Sequence, residues 1–135
     1  MRIHSYLTFN GNCREAMQFY KSCLGGNLVF QTVGESPLGE KLPEKMRRKI
    51  LHASLSQGEM VLMGTDLTDA GNIYKGNSVS LFLTCETEKE MKVLFKKLSS
   101  GGVPSCPPTI NSMGSWIGTL TDRYGNHWLL SFQEH

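Results

Sequence analysis

Apolar residues recur along this chain with two different spacings. From residue 13 to 24 and again from 87 to 98, they follow the i, i+3, i+4, i+7 spacing that gathers side chains on one face of a helix. Shorter runs alternate apolar and polar residues, as half-buried strands do. The pattern predicts helices over residues 13–24 and 88–99, and strands over residues 3–9, 27–33, 50–56, 59–64, 78–84, 104–110, 115–121 and 127–132.

The two halves of the chain repeat this pattern with an offset of about 74 residues, since Met17 corresponds to Met91. A Gly-Gly pair follows each predicted helix, and the segment 58–63 corresponds to 125–130. The repetition predicts one domain made by duplication. Its first module spans residues 1–66, its linker 67–77 and its second module 78–135.

Both predicted helices begin with a similar capping signal. Asn12 precedes Glu15, and Thr87 precedes Glu90, at the offset of a capping box. We therefore expect the side chains of Asn12 and Thr87 to accept hydrogen bonds from the first turns of their helices.

Composition and charge argue against one class of partner, nucleic acid. Among 135 residues, 14 basic and 12 acidic side chains give a net charge of +2 without a continuous basic stripe, which argues against nucleic-acid binding. The dense basic segment 45–49 lies in a long loop, 34–49, that also holds acidic residues, and we interpret it as a solvated short helix rather than an anion site. The loop either covers a site or only joins two strands.

Cysteine usage and hydropathy indicate where the protein resides. The four cysteines show no C-x-x-C spacing, which suits a reducing cytoplasm, and no apolar run is long enough for a signal peptide or a membrane span. Cys13 is near a helix N-terminus, where the helix dipole favours a thiolate nucleophile, but its place in the apolar stripe favours burial.

Several segments carry a resemblance to a known family. They are YLTFNGNCREA at 6–16, FY at 19–20, HASL at 52–55, LMGTD at 62–66 and WIGTLTDRYGNHW at 116–128. On these segments the chain resembles PhnB-like proteins of the vicinal oxygen chelate superfamily, which includes glyoxalase I, extradiol dioxygenases and bleomycin-resistance proteins. The resemblance implies an α+β fold of two βαβββ modules, with curved mixed sheets around a pocket, in a homodimer.

The resemblance also locates the positions that bind metal in metal-using members of the superfamily. Here those positions hold residues that are not usual metal ligands, namely Ser5 or Tyr6, Leu62 or Met63, Ser80, and Leu129 or Leu130. We therefore predict no metal and no other cofactor. A divalent metal bound by an altered set, His4, His52 and His127, is the disfavoured alternative.

Strand alternation predicts which side chains face the pocket. Leu7 and Phe9 are expected under the first helix, and Val79, Leu81 and Leu83 under the second. Trp128 is expected in the packing. The predicted ligand-binding residues are Tyr6, Thr8, His52, Ser80, Phe82 and Trp116.

Two functions remain open at this point. The first is metal-free binding of a small organic molecule, as in the bleomycin-resistance branch. The second is a lyase, isomerase or dioxygenase that uses His52 and Tyr6 as acid and base, although His52 is equally well explained as a hydrogen-bonded histidine on a polar sheet face. Methyl transfer is not expected, because no strand leads into a glycine-rich loop that would hold a nucleotide-like cofactor.

Overall fold

The computed structural model describes residues 1–37, 39–68 and 72–134. It confirms all the predicted helices and strands, with each end within three residues of the prediction. The long loop contains the short helix expected for its basic segment, and it adds two 3₁₀ turns, Val33–Glu35 and Gly39–Lys41. The elements are β1 Ser5–Thr8, α1 Cys13–Leu24, β2 Asn27–Thr32, α2 Glu44–Arg47, β3 Ile50–Gln57, β4 Met60–Thr65, β5 Leu81–Thr84, α3 Glu88–Ser99, β6 Val103–Ile110, β7 Ser115–Thr121 and β8 His127–Gln133.

The chain divides into two compact units, Met1–Tyr74 and Lys75–His135. The boundary falls in the predicted linker, of which residues 69–71 lie outside the described part of the chain. Each unit contains one curved, four-stranded mixed sheet and one helix of 12 residues.

The two sheets have the same topology. The strand order is β1-β4-β3-β2 in the first sheet and β5-β8-β7-β6 in the second. The first strand of each unit pairs in parallel with the last, and the other neighbours are antiparallel. This order is the βαβββ arrangement that the resemblance implies.

In the first unit, α1 packs on one face of the sheet. Gly64 allows this close approach, because a Cβ atom there would lie 3.2 Å from both the Cys13 sulfur and the Phe9 ring. Leu7 pairs with Gly64 and shares its face, and Phe9 is 2 % exposed, as predicted. The buried core of this unit includes Cys13, Ala16, Met17, Tyr20, Ala53, Leu55 and Leu62.

In the second unit, α3 covers the sheet in the same way. The indole N–H of Trp128 donates to the Asp122 carboxylate over 2.8 Å, and both side chains are buried. The prediction that Trp128 belongs to the packing is confirmed. Its buried neighbours in the unit include Met91, Phe95, Leu98, Leu120 and Leu130.

The two helices are capped differently. At α3, the Thr87 hydroxyl accepts from the Glu90 N–H over 3.0 Å, as predicted. At α1, Asn12 makes no side-chain cap, so that prediction was wrong. The buried Asp66 carboxylate replaces it, accepting from the N–H groups of Gly11 at 3.0 Å, Cys13 at 2.9 Å and Ile50 at 2.9 Å.

The structure also corrects the predicted correspondence between the last strands. Equating 58–63 with 125–130 pairs Met63 with Leu130, yet Met63 lies on the face away from α1, whereas Leu130 is fully buried on the helix side. The turn before β4 has two residues and the turn before β8 has five. Because the two lengths differ by three, aligning the turn glycines displaces one strand against the other by an odd number of residues. A shift of one residue exchanges the faces of a strand.

None of the helices in the described ranges combines the length and apolar character needed to cross a bilayer.

Candidate functional site

The first sheet leaves the face opposite α1 uncovered by its own helix. On this face, which we call the first open face, the register places Tyr6 beside Met63, Met63 beside Ser54, and Ser54 beside Val29. Tyr6 is 52 % exposed and Val29 is 57 % exposed. The first open face is therefore a row of aromatic, apolar and small polar side chains accessible from one side.

His52 joins this row from β3. It stands two residues before Ser54, so it projects from the same face, and its ring centroid lies 5.9 Å from that of Tyr6, with 32° between the planes. Thr8 continues the row on β1. The structure thus brings three of the predicted binding residues, Tyr6, Thr8 and His52, onto one surface.

The Tyr6–His52 pair combines a flat aromatic surface with two hydrogen-bonding tips. The phenol donates and accepts hydrogen bonds, and the imidazole can donate or accept them. A planar organic molecule placed against these rings would gain both apolar contact and directed hydrogen bonds. The same two groups also have the chemistry required of an acid and a base.

The second sheet has an equivalent surface, the second open face. Here the register aligns Phe82 with Leu129, Leu129 with Thr119, and Thr119 with Cys106. Phe82 is 65 % exposed. Among the described residues of this face, no aromatic–histidine pair comparable to Tyr6 and His52 is found.

Ser80 and Val79 precede β5 rather than forming part of it. Both are exposed, and the strand begins only at Leu81. Val79 was expected under α3, but it is 73 % exposed because the chain has not yet entered the sheet at this point. Ser80 therefore lies at the entry to β5, outside the paired part of the second open face.

Trp116 lies on the helix side of the second sheet, contrary to expectation. Strand alternation places it with the buried Gly118 and Leu120, on the face opposite to Thr119. The ammonium of Lys92 on α3 lies 5.0 Å from the centre of the Trp116 ring, and the indole N–H of Trp116 donates to the Glu134 carboxylate over 3.3 Å. Trp116 is therefore not part of the second open face.

The structure resolves the alternatives at the metal positions that the resemblance implies. Tyr6, Met63 and Leu129 are the members of their pairs that lie on the open faces. A thioether and an aliphatic chain are poor donors for the divalent ions that oxygen and imidazole ligands hold. Within either unit, the described residues contain no group of three His, Cys, Asp or Glu side chains placed to hold a metal ion.

The histidines of the alternative metal set are in different surroundings. His4 is exposed and precedes β1. His127 has both ring nitrogens engaged, because Nε2 lies 2.9 Å from the Gly76 carbonyl, which can only accept, and Nδ1 lies 2.9 Å from the Thr121 hydroxyl. A metal at His127 would have to displace one of these hydrogen bonds.

Comparison with known proteins identifies the family. A family model described as 3-demethylubiquinone-9 3-methyltransferase matches residues 1–131. The chain belongs to this PhnB-like family. It is 27 % identical to protein YjdN of Escherichia coli strain K12 over 97 % of this chain and 95 % of YjdN.

Solved structures of similar proteins share the fold. Protein PA1353 from Pseudomonas aeruginosa is 33 % identical, with a TM-score of 0.86 over 100 % of this chain and 99 % of that one. A Bacillus cereus protein described as a putative 3-demethylubiquinone-9 3-methyltransferase, PhnB protein, is 27 % identical, with a TM-score of 0.76 over 98 % and 99 % of the chains.

The fold extends to the glyoxalase group. A glyoxalase/bleomycin resistance protein from Albidiferax ferrireducens T118 has a TM-score of 0.65 at 13 % identity, over 98 % of this chain and 100 % of that one. At this identity the likeness concerns the fold alone. The family and the fold agree with the vicinal oxygen chelate superfamily.

Two buried cysteines of this PhnB-like chain, Cys13 and Cys85, have raised pKa values that favour the thiol. Burial, with the nearby Asp66 carboxylate, raises the pKa of Cys13 to about 12. Burial, with Glu90, raises the pKa of Cys85 to about 11. The burial that was favoured for Cys13 is confirmed, since it is 0 % exposed, and its raised pKa disfavours the thiolate nucleophile.

The sequence interpretation missed Val29 and Asp66. Val29 sits between Leu28 and Phe30, so three consecutive apolar residues conceal which face is exposed. The sequence does show a carboxylate, Asp66, directly after the last strand of the first module. It does not show its three N–H partners, which lie up to 55 residues away.

Proposed function

We propose that this PhnB-like chain is a cytoplasmic, metal-free protein that binds a small organic molecule on its open sheet faces. The observation that carries the proposal is the first open face. Tyr6 and Val29, on its two edge strands, are each more than half exposed, and the Tyr6 ring lies beside that of His52. Large apolar side chains exposed together on a sheet, next to a few polar groups, are typical of a ligand-binding surface.

The residues at the implied metal positions support the metal-free part of the proposal. Met63 stands next to Tyr6, and Leu129 next to Phe82, where metal-using members of the superfamily have ligands. These side chains favour apolar contact with a ligand over coordination of an ion. The ligand would lie along the sheet, with its polar groups directed to His52 and Tyr6.

A neutral fluorescent probe, N-phenyl-1-naphthylamine, tests the binding surface. We expect saturable binding with a rise in fluorescence. We expect Val29→Ser to weaken it about tenfold, since covering the exposed part of one apolar side chain contributes about 1.4 kcal/mol. Val93→Ser is the matched control, because Val93 is 42 % exposed on α3. Absence of saturable binding, or an equal loss in both variants, would contradict the proposal.

The proposal includes a homodimer, which is the assembly that the family resemblance implies. Light scattering coupled to gel filtration measures the mass directly. We expect twice the chain mass of 15.1 kDa at micromolar concentration. A mass of one chain at every concentration would remove the dimer from the account but leave the binding surface intact.

An enzyme of the lyase, isomerase or dioxygenase type is the second candidate. The close approach of the Tyr6 and His52 rings favours it, since the two groups could move a proton on a bound molecule. A metabolite extract incubated with the wild type or with His52→Gln distinguishes the two functions by mass spectrometry. A compound consumed only by the wild type would favour the enzyme.

Methyl transfer, which the family description names, is not part of the proposal. Each sheet has a single parallel strand pair, whereas folds that hold nucleotide cofactors on a glycine-rich loop are built from successive parallel strands. Saturable binding of S-adenosylmethionine would contradict this exclusion.

A further inference from the structure

A basic cleft lies on the helix side of the first unit, away from the first open face. Its volume is about 500 Å³, and its lining combines Arg14 of α1 with Arg47 and Arg48, which follow Glu44 in the short helix region. A neighbouring depression of about 470 Å³ is lined by Gly11, Lys45, Arg48 and Lys49. Arg48 lines both, and we call the combined surface, with the cations Arg14, Lys45, Arg47, Arg48 and Lys49, the basic cleft.

The basic cleft concentrates positive charge. Five cations face two carboxylates, an excess that is larger than the net charge of +2 of the whole chain. Both carboxylates already have partners. Glu44 lies 3.4 Å from Arg48, and Glu35 accepts from the N–H and hydroxyl of Thr32. Arg47 makes no ion pair with another residue in the described ranges.

The walls of the basic cleft are held by the fold. The Asp66 carboxylate binds the N–H of Gly11 on one wall and the N–H of Ile50, next to Lys49, on the other. A single buried side chain thereby fixes the distance between the turn before α1 and the end of the long loop. This arrangement reduces the conformational freedom that the loop would otherwise lose on binding.

Two arginines are further positioned by their neighbours. The Arg14 guanidinium lies 4.9 Å from the centre of the Phe30 ring, a cation–π contact that holds it against β2. Arg47 lies against Gly34, where an added Cβ would stand 3.2 Å from the Arg47 Cβ and backbone oxygen. The missing side chain at Gly34 lets the Arg47 stem lie close to the loop.

We propose that the basic cleft binds a small molecule through a phosphate-type oxyanion group. Planar guanidinium groups pair with such oxygens through two parallel hydrogen bonds, and lysine ammonium groups add point charge. The volume suits a small ligand, and the charge is confined to one cleft rather than spread along a stripe, which favours a small anion over a nucleic acid.

Calorimetric titration with pyrophosphate tests this proposal. We expect saturable binding that sodium chloride at equal ionic strength does not reproduce, and a loss of affinity of about tenfold in Arg47→Gln. Lys96→Gln, which removes an exposed charge from α3, is the matched control and should change the affinity by less than about twofold.

Two further variants and one competitor keep the result decisive. Arg14→Lys retains the charge but not the paired hydrogen bonds, so we expect it to weaken pyrophosphate binding even where its fold is intact by circular dichroism. Equal losses in Arg47→Gln and Lys96→Gln would show only a net-charge effect and overturn the proposal. Tighter binding of a single-stranded oligonucleotide than of pyrophosphate would overturn it as well.

Discussion

The two units build the same sheet but place their functional chemistry differently. Both have the strand order first-last-third-second and a 12-residue helix on one face. The first unit adds the segment between β2 and β3, which carries α2 and the basic cleft, whereas the second joins β6 and β7 by the short turn 111–114. The shared core sets the scaffold, and the connection between two strands supplies the difference in chemistry.

A buried carboxylate stabilises each unit, and the first should matter more. Asp66 accepts from the buried N–H groups of Cys13 and Ile50 and the part-buried N–H of Gly11. Asp122 accepts from the buried Trp128 indole and from the part-buried N–H groups of Tyr124 and Asn126. We expect Asp66→Ala to lower the free energy of unfolding by about 4 kcal/mol and Asp122→Ala by about 2 kcal/mol, because buried donors left unpaired are costly.

Urea denaturation monitored by circular dichroism measures both values. Asp66→Asn, which keeps an acceptor oxygen, is the control and should lose less than Asp66→Ala. Equal losses at the two positions would show that Asp66 does not anchor the first unit more strongly than Asp122 anchors the second.

The buried thiols should make stability fall at alkaline pH. The pKa of Cys13 is raised from 9.0 to about 12 in the folded chain, so between these values the unfolded state releases a proton that the folded state keeps. Stability should therefore fall as the pH rises above 9, by up to about 1.4 kcal/mol per pH unit for this thiol. The corresponding window for Cys85 ends near pH 11.

The alanine variant isolates this effect. The stability difference between the wild type and Cys13→Ala should narrow as the pH rises above 9, since only the wild type carries the thiol. A stability difference that stays constant above pH 9 would contradict the raised pKa of the Cys13 thiol. Thiol labelling at neutral pH should modify the exposed Cys106 before the three buried cysteines.

Substitutions at the helix caps should have the smallest effects on stability, and they compare the N-termini of α1 and α3. Thr87→Ala should cost about 1 kcal/mol, because its hydroxyl caps α3. Asn12→Ala should cost less than about 0.5 kcal/mol, because Asp66 performs that role at α1. Thermal unfolding of the two variants gives both values, and a larger loss at Asn12 would reverse the assignment.

Most of the fold could be predicted from the sequence because its signals are local. The apolar stripes predicted the two 12-residue helices, and the alternation of apolar and polar residues predicted the eight strands found in the described residues. The cap at Thr87 was also local, since its partner is three residues away. Predictions succeeded where the interacting residues are close in sequence.

The candidate site was predicted only in part, because its contacts are long-range. Tyr6 and His52 lie on the face opposite α1, as strand alternation predicts, whereas Trp116 lies on the helix side with Gly118 and Leu120. The basic segment 45–49 was interpreted as a solvated short helix rather than an anion site. Its sequence does not show that the fold brings Arg14, 33 residues from Arg47 in the chain, to the same cleft.

Elemental analysis of the purified, untagged protein tests the central claim, a binding surface that works without metal. The protein would be equilibrated with zinc, nickel, manganese and iron, dialysed and measured by inductively coupled plasma mass spectrometry. The account predicts that metal retained is far below one ion per chain, with unchanged binding of N-phenyl-1-naphthylamine. Near-stoichiometric metal that is lost in His52→Ala would contradict it.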